Sequence, residues 1–172
     1  AATARLFAAE GARGIAILDL ERPGADFQCL AESLARDYGT DAVAIACDVT
    51  RPEQVRAAFR TAIERFGRID VLVNSAGVLD FNASVLKTSD ELWDRTVGIN
   101  QSGVFFCCRE ALLQMEKQGD GAIVNVSSVA GISGNSGAAY SSSKHAVVGL
   151  SKNIAIQYAG TRIRCNTVCP GP

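Results

Sequence analysis

Short apolar runs alternate with longer segments of helical period along this chain, and that alternation restricts the fold more than any other feature. Strands separated by helices are joined by crossovers, which gives a parallel sheet layered with helices. The candidate strands are Gly14 to Leu18, Val43 to Cys47, Val71 to Val73, Gly121 to Val126 and Ile163 to Val168. The middle three are nearly continuous in Val, Ile, Leu and Ala, as strands covered on both faces are. Between them, Thr50, Pro52 and Glu53 read as a helix start, a capping-box pair with proline in the first turn. Val55, Phe59, Ala62, Ile63 and Phe66 then form one apolar face at helical spacing. Similar segments run from Asp26 to Tyr38, from Ser89 to Met115 with a break expected near Asn100, and from Tyr140 to Tyr158. Gly39, Gly67, Gly119 and Gly160 punctuate the helix ends. The economical organisation is one domain over residues 1–172.

Composition removes several function classes. The 17 basic and 18 acidic residues are well mixed and give a net charge of -1. No basic stripe exists to neutralise phosphates, so no nucleic-acid partner is expected. No apolar run approaches the ~20 residues of a membrane span, so no membrane partner is expected either. None of the six cysteines forms a Cys-x-x-Cys pair and His145 is the only histidine, a poor set for a metal site. Reduced, buried cysteines in a cytoplasmic protein are the plain reading.

The ends carry information of another kind. The chain opens on a helix-like segment, Ala1 to Glu10, and its first strand ends in Leu18-Asp19. In a dinucleotide-binding βαβ unit, an acidic residue at the end of the second strand bonds the adenosine ribose, about 20 residues after a glycine-rich turn. Counting back from Asp19 lands just before Ala1. The expected architecture is therefore an α/β, doubly wound parallel sheet of Rossmann-like type, with its first strand and glycine turn preceding Ala1. Without that turn, the isolated 172-residue chain is expected to bind a dinucleotide weakly and to aggregate.

Tyr140 and Lys144 form Tyr-x-x-x-Lys, which puts both side chains on one helix face. A chain of this composition would contain the pair by chance roughly 0.07 times, so its neighbours decide its meaning. Upstream, Ile123 to Gly131 reads as a strand delivering the hydroxyls of Ser127 and Ser128 to its C-terminal tip. Val73-Asn74-Ser75-Ala76-Gly77 likewise ends a strand, and ligands bind at that edge of an open α/β sheet.

With these residues the chain resembles the short-chain dehydrogenase/reductase family. The matches are Asp48-Val49, Asn74-Ser75-Ala76-Gly77, Gly98-Ile99-Asn100, Val126-Ser127-Ser128, Tyr140-Ser141-Ser142-Ser143-Lys144 and Pro170-Gly171, in family order through nearly the whole chain. The resemblance implies an oxidoreductase that interconverts a secondary alcohol and a ketone with a nicotinamide cofactor. It implies Tyr140 as general acid/base and Lys144 as the cation that favours the phenolate. Ser128 would hydrogen-bond the substrate oxygen, and Asn100 would hold a water extending a proton relay past Lys144. The cofactor would be held by Asp19, Asp48, Val49, Asn74, Ala76, Gly77, Tyr140, Lys144, Pro170 and Gly171. A carboxylate at Asp19, with Glu21 beside it, repels a ribose phosphate and favours NAD over NADP; Arg22 could instead swing round to such a phosphate. A homo-oligomer, dimer or tetramer, follows from the resemblance alone.

Two departures from the family pattern stand out. The gap from Ser128 to Tyr140 is one residue short, and the glycine-rich Gly134-Asn135-Ser136-Gly137 loop is the natural place to absorb it, leaving Ser128 rather than Ser127 in the role. Asn74-Ser75 replaces the more usual pair of asparagines. Alternative functions are a 3-oxoacyl-thioester reductase using NADP, or a nucleotide-binding regulator without chemistry; such regulators typically lose the tyrosine or lysine that this chain keeps. Outside the site, His145 should point away from the catalytic face, Trp93 should pack in a core or interface, and Leu112, Leu113 and Met115 should form an apolar edge.

Overall fold

The alternation of runs becomes alternation of elements in a computed structural model, which describes residues 1–21 and 26–171. The described residues form two compact units, 1–67 and 68–172. In the first, helix α1 (Ala2–Ala9) precedes strand β1 (Gly14–Asp19), helix α2 (Phe27–Tyr38), strand β2 (Asp41–Ala46) and helix α3 (Pro52–Phe66). β1 and β2 pair in parallel, from Gly14 against Asp41 to Asp19 against Ala46. Ala8, Leu30 and Leu34 form a buried cluster against Ile15, Ile17 and Ala42, so α1 and α2 cover one face of this pair. Burial of Val55, Ala58, Phe59 and Ala62 follows the apolar face of α3. Asp41 accepts from Arg65 Nε at 3.0 Å, fixing the far end of that helix.

The helix starts differ from the expected capping box. The N-cap of α3 is Arg51, without a side-chain bond, and Pro52 occupies the first turn. Thr50 turns the other way: its N and Oγ1 both donate to Asp48 Oδ1, at 2.9 and 2.7 Å. An aspartate two residues upstream offers the threonine a tighter local ring than a reciprocal cap would. Gly39, Gly67 and Gly119 cap α2, α3 and the later helix Gly103–Gln118 in left-handed conformation. The last long helix instead closes on Tyr158, with Gly160 in the turn beyond.

The second unit holds strands β3 (Val71–Asn74), β4 (Asp120–Val126) and β5 (Arg162–Val168), all parallel, in the order β3-β4-β5. Its helices are α4 (Asp90–Val97), α5 (Gly103–Gln118), the short α6 (Ala130–Ser133) and α7 (Ala138–Gln157). The break expected near Asn100 is a π-turn, Gly98–Ser102, which carries the chain from α4 into α5 without interrupting the coil. Along β4 burial alternates: Gly121, Ile123 and Asn125 are buried, and the residues between them are half-buried. Met115 is fully buried and lies where a side chain at Gly121 would have to go, so it belongs to the core and not to an exposed edge. Leu113 and Trp93 do keep exposed surface. No helix among the described residues is long and apolar enough to cross a membrane.

A polar cluster sits inside this second core. Asn125 Oδ1 accepts from Asn74 Nδ2 at 2.8 Å, and Asn125 Nδ2 donates to Ser151 Oγ at 2.8 Å. The thiols of Cys108 and Cys165 complete its surroundings. All six cysteines are free, and Cys29 alone is exposed, which departs from the expectation of uniform burial. Because Asn125 joins β3, β4 and α7 with no access to water, truncating it removes one buried hydrogen bond from each of Asn74 and Ser151. Asn125→Ala should lower the stability of the protein by roughly 2–4 kcal/mol, read from the midpoint of urea unfolding at an unchanged slope.

Candidate active site

Parallel pairing brings the C-terminal ends of β3, β4 and β5 to one edge of their sheet, and a cavity of about 580 Å³ opens there. Ser75, Gly77, Val78 and Leu79 enter it from the chain after β3, Ser127 and Ser128 from the tip of β4, and Pro170 and Gly171 from the end of β5. Tyr140 and Lys144 enter from the first turns of α7. Six of the residues singled out in the sequence, Gly77, Ser128, Tyr140, Lys144, Pro170 and Gly171, therefore line one space.

Helical spacing aims Tyr140 and Lys144 the same way. The Lys144 Nζ lies 5.6 Å from the centre of the Tyr140 ring. Lys144 is 5% exposed, and its ammonium donates to the Val126 carbonyl at 3.0 Å. Burial pushes its pKa below the ordinary lysine range, a shift that Cys169 opposes. His145, the next residue, is exposed, with Nδ1 2.9 Å from the Ser141 carbonyl, away from this face.

The two serines at the β4 tip have separate jobs. Ser127 is buried, and its Oγ donates to the Lys144 carbonyl at 2.9 Å, tying strand to helix. Gly131 makes that approach feasible, since a Cβ there would come within 2.5 Å of Ser127 Oγ and 2.8 Å of the Lys144 carbonyl oxygen. Among the described residues, Ser128 Oγ accepts from the Ala130 amide alone, at 3.2 Å, which leaves its own proton for another acceptor.

Asn100 stands behind the cavity, fully buried on the π-turn. Its Oδ1 accepts from Val78 N at 2.8 Å, while Nδ2 donates to the Val78 carbonyl at 2.9 Å and to Ser143 Oγ at 3.2 Å. Ser143 Oγ in turn donates to the Tyr140 carbonyl at 2.8 Å. Asn100 thus couples the chain after β3 to the helix of Tyr140. A Cβ on Gly77 would sit in van der Waals contact with both groups, 3.4 Å from Asn100 Oδ1 and 3.6 Å from Lys144 Nζ.

The remaining predicted residues lie elsewhere. Asn74 is 8% exposed and spends its amide on Asn125 and on Cys108 Sγ, inside the sheet layer and not along the cavity. Ala76 is exposed between Ser75 and Gly77. Asp19, Asp48 and Val49 belong to the first unit, where they share the C-terminal edge of β1 and β2. Asp19 Oδ1 accepts from Leu20 N at 2.7 Å, and Asp48 Oδ1 is engaged by Thr50. Arg22 lies outside the described residues.

Sequence reasoning missed Asp80, a carboxylate 1% exposed whose Oδ2 accepts from Tyr140 N at 2.9 Å. A lone aspartate in Gly77-Val78-Leu79-Asp80-Phe81 gives no periodic signal, and its partner is 60 positions away.

Known proteins share this architecture. A family profile described as short chain dehydrogenase matches residues 1–172. A 3beta-hydroxysteroid dehydrogenase of Mediterraneibacter gnavus is 42% identical over 95% of this chain and 58% of its own length. A 2-(R)-hydroxypropyl-CoM dehydrogenase of Xanthobacter autotrophicus is 41% identical over 93% of this chain and 65% of its own. The crystal structure of levodione reductase superposes with a TM-score of 0.92 at 34% identity, over 99% of this chain and 66% of that one. The chain thus spans between about half and two thirds of these relatives. Strand-end cavity, tyrosine–lysine helix and whole-chain similarity agree: the chain belongs to the short chain dehydrogenase family.

Proposed function

We propose that this protein is an NAD-dependent oxidoreductase that interconverts a secondary alcohol and a ketone, with Tyr140 as general acid/base. The observation that carries this reading is the cavity itself, where a phenol, a buried ammonium and a serine hydroxyl with an unspent proton meet at the ends of three parallel strands. The 3beta-hydroxysteroid and 2-(R)-hydroxypropyl substrates in the names of two relatives are both secondary alcohols.

The open wall at Gly77 fits a nicotinamide cofactor, because a side chain there would fill the space in front of Asn100 and Lys144. Pro170, Gly171 and Lys144 would hold the cofactor at this edge, and the family resemblance assigns its adenine to Asp48 and Val49 and its ribose to Asp19. When bound, the nicotinamide supplies or accepts the hydride. Ser128 holds the substrate oxygen within reach of Tyr140, whose hydroxyl gives a proton to that oxygen on reduction and whose phenolate takes one on oxidation. Lys144 stabilises the phenolate by its charge, and burial strengthens that field because little water screens it. Asn100 keeps the Val78 segment and the Ser143 hydroxyl in place behind the tyrosine. Exposed apolar side chains on α4, α5 and α7, among them Trp93, Phe105 and Ile156, support a homo-oligomer.

Three measurements test this reading. Tyr140→Phe deletes one hydroxyl without emptying the site and should lower kcat by about 10²–10⁴-fold while cofactor binding persists; turnover within tenfold of wild type would refute the acid/base role. The carboxylate of Asp19 should make kcat/KM with NAD at least about tenfold higher than with NADP, and a clear NADP preference would overturn that choice. Because the buried ammonium loses its proton at lower pH than an ordinary lysine near ~10.4, the alkaline limb of kcat should fall below that value. A limb at or above it would count against Lys144 as the field that sustains the phenolate.

A further inference from the structure

The helix that carries Tyr140 and Lys144 starts without a cap of its own. Its N-cap is Gly137, which has no side chain to accept from the first-turn amides, and no acidic residue occupies that turn. A helix of 20 residues nonetheless presents unpaired N–H groups and the positive end of its dipole there. The missing acceptor arrives from a segment 60 positions earlier. Asp80 Oδ2 accepts from Tyr140 N at 2.9 Å, and its Oδ1 accepts from Asn82 N at 3.2 Å. The carboxylate is 1% exposed, and no lysine or arginine pairs with it among the described residues. Its charge is met by the helix terminus.

Several neighbours keep this contact in register. Ala138 N donates to the Ala83 carbonyl at 2.9 Å, and Ser136 Oγ donates to Asn82 Oδ1 at 2.9 Å. Phe81 and Asn82 both adopt left-handed backbone, with φ of 56° and 58°, a conformation non-glycine residues hold only when their surroundings impose it. Gly137 has φ -63°, so its backbone would accept alanine; what forbids a side chain is space, because a Cβ there would fall on the Asp80 carboxylate. Leu79 and Ser136, one on each side of the clamp, line the cavity.

We infer that Asp80 is a positioning residue: by accepting the amide of Tyr140 it fixes the first turn of α7, and with it the place of the phenol in the cavity. The inference rests on the proposed acid/base role of Tyr140. A small displacement of a reacting group is costly in rate and cheap in stability, so the two effects can be separated.

The test uses Asp80→Ala, Asp80→Asn and Gly137→Ala in the whole enzyme, with kcat, cofactor Kd and amide hydrogen exchange over residues 138–141. Asp80→Ala should lower kcat per folded molecule by about tenfold or more, leave cofactor Kd within about twofold, and speed exchange of the Tyr140 amide. Asp80→Asn keeps an acceptor oxygen and should recover most of kcat and of the protection. Gly137→Ala should reproduce the loss with Asp80 still present, by pushing the carboxylate off the amide; it serves if Asp80→Ala does not fold. The inference is overturned if kcat stays within twofold of wild type in Gly137→Ala, if kcat falls without faster exchange at 138–141, or if asparagine is no better than alanine. Full activity in Tyr140→Phe would instead remove the acid/base role, while the exchange rates would still judge the cap.

Discussion

Lys144 is 5% exposed, and the tip of β4 and the first turns of α7 are arranged around its side chain. A cation withdrawn from water is tolerated only where dipoles or anions replace the solvent it has lost. Here the Val126 carbonyl at the end of β4 is one such dipole, while Ser127, the next residue, binds the carbonyl of Lys144 itself. Strand and helix therefore meet through two hydrogen bonds that start from adjacent strand residues and end on one lysine. The arrangement fixes how far along β4 the helix α7 can sit. Because Tyr140 is one turn earlier on the same helix, its phenol is located by the same two bonds.

The interior behind that edge is polar to an unusual depth. Asn125, Asn74 and Ser151 occupy positions where aliphatic side chains would be ordinary, and each amide or hydroxyl has its partner. A satisfied network of this kind contributes direction more than energy: an aliphatic core tolerates sliding, whereas paired amides define a single register. Cys108 fits the same environment. Burial pushes its thiol up to about 12, so it stays neutral and serves as a weak partner to the two asparagines. In this unit the strand ends that line the cavity rest on strand bodies held in one register by these bonds.

Much of this was legible in the amino-acid sequence, and the reasons are physical. Apolar runs and helical periods located every strand to within two or three residues, since burial of a sheet face leaves a pattern that local reading can detect. Tyr140 and Lys144 were legible because four-residue spacing on a helix fixes their geometry without knowledge of the rest of the chain. Contacts between distant segments were not. Asn74 reads as a cavity residue by its position at a strand end, yet its side chain turns sideways to β4, a choice made by Asn125 fifty-one positions later. Thr50 has the spacing of a capping residue, but Asp48 competes for its hydroxyl and is nearer. Asp80 offers no pattern at all, since an isolated carboxylate announces nothing until the helix it serves is folded against it.

The π-turn at Gly98–Ser102 has a consequence for how this segment can evolve. Thr96, Asn100, Val104 and Cys108 are all buried, in consecutive steps of four residues. A regular α-helix advances about 100° per residue, so each such step overshoots a full rotation by about 40° and three of them would sweep the inward face through about 120°. The wider turn absorbs that rotation and keeps one azimuth facing the core from α4 through α5. Substitutions along these helices change only what is packed, whereas a single insertion or deletion between Thr96 and Cys108 would rotate everything beyond it. Length, more than composition, is what natural variation in this stretch has to preserve.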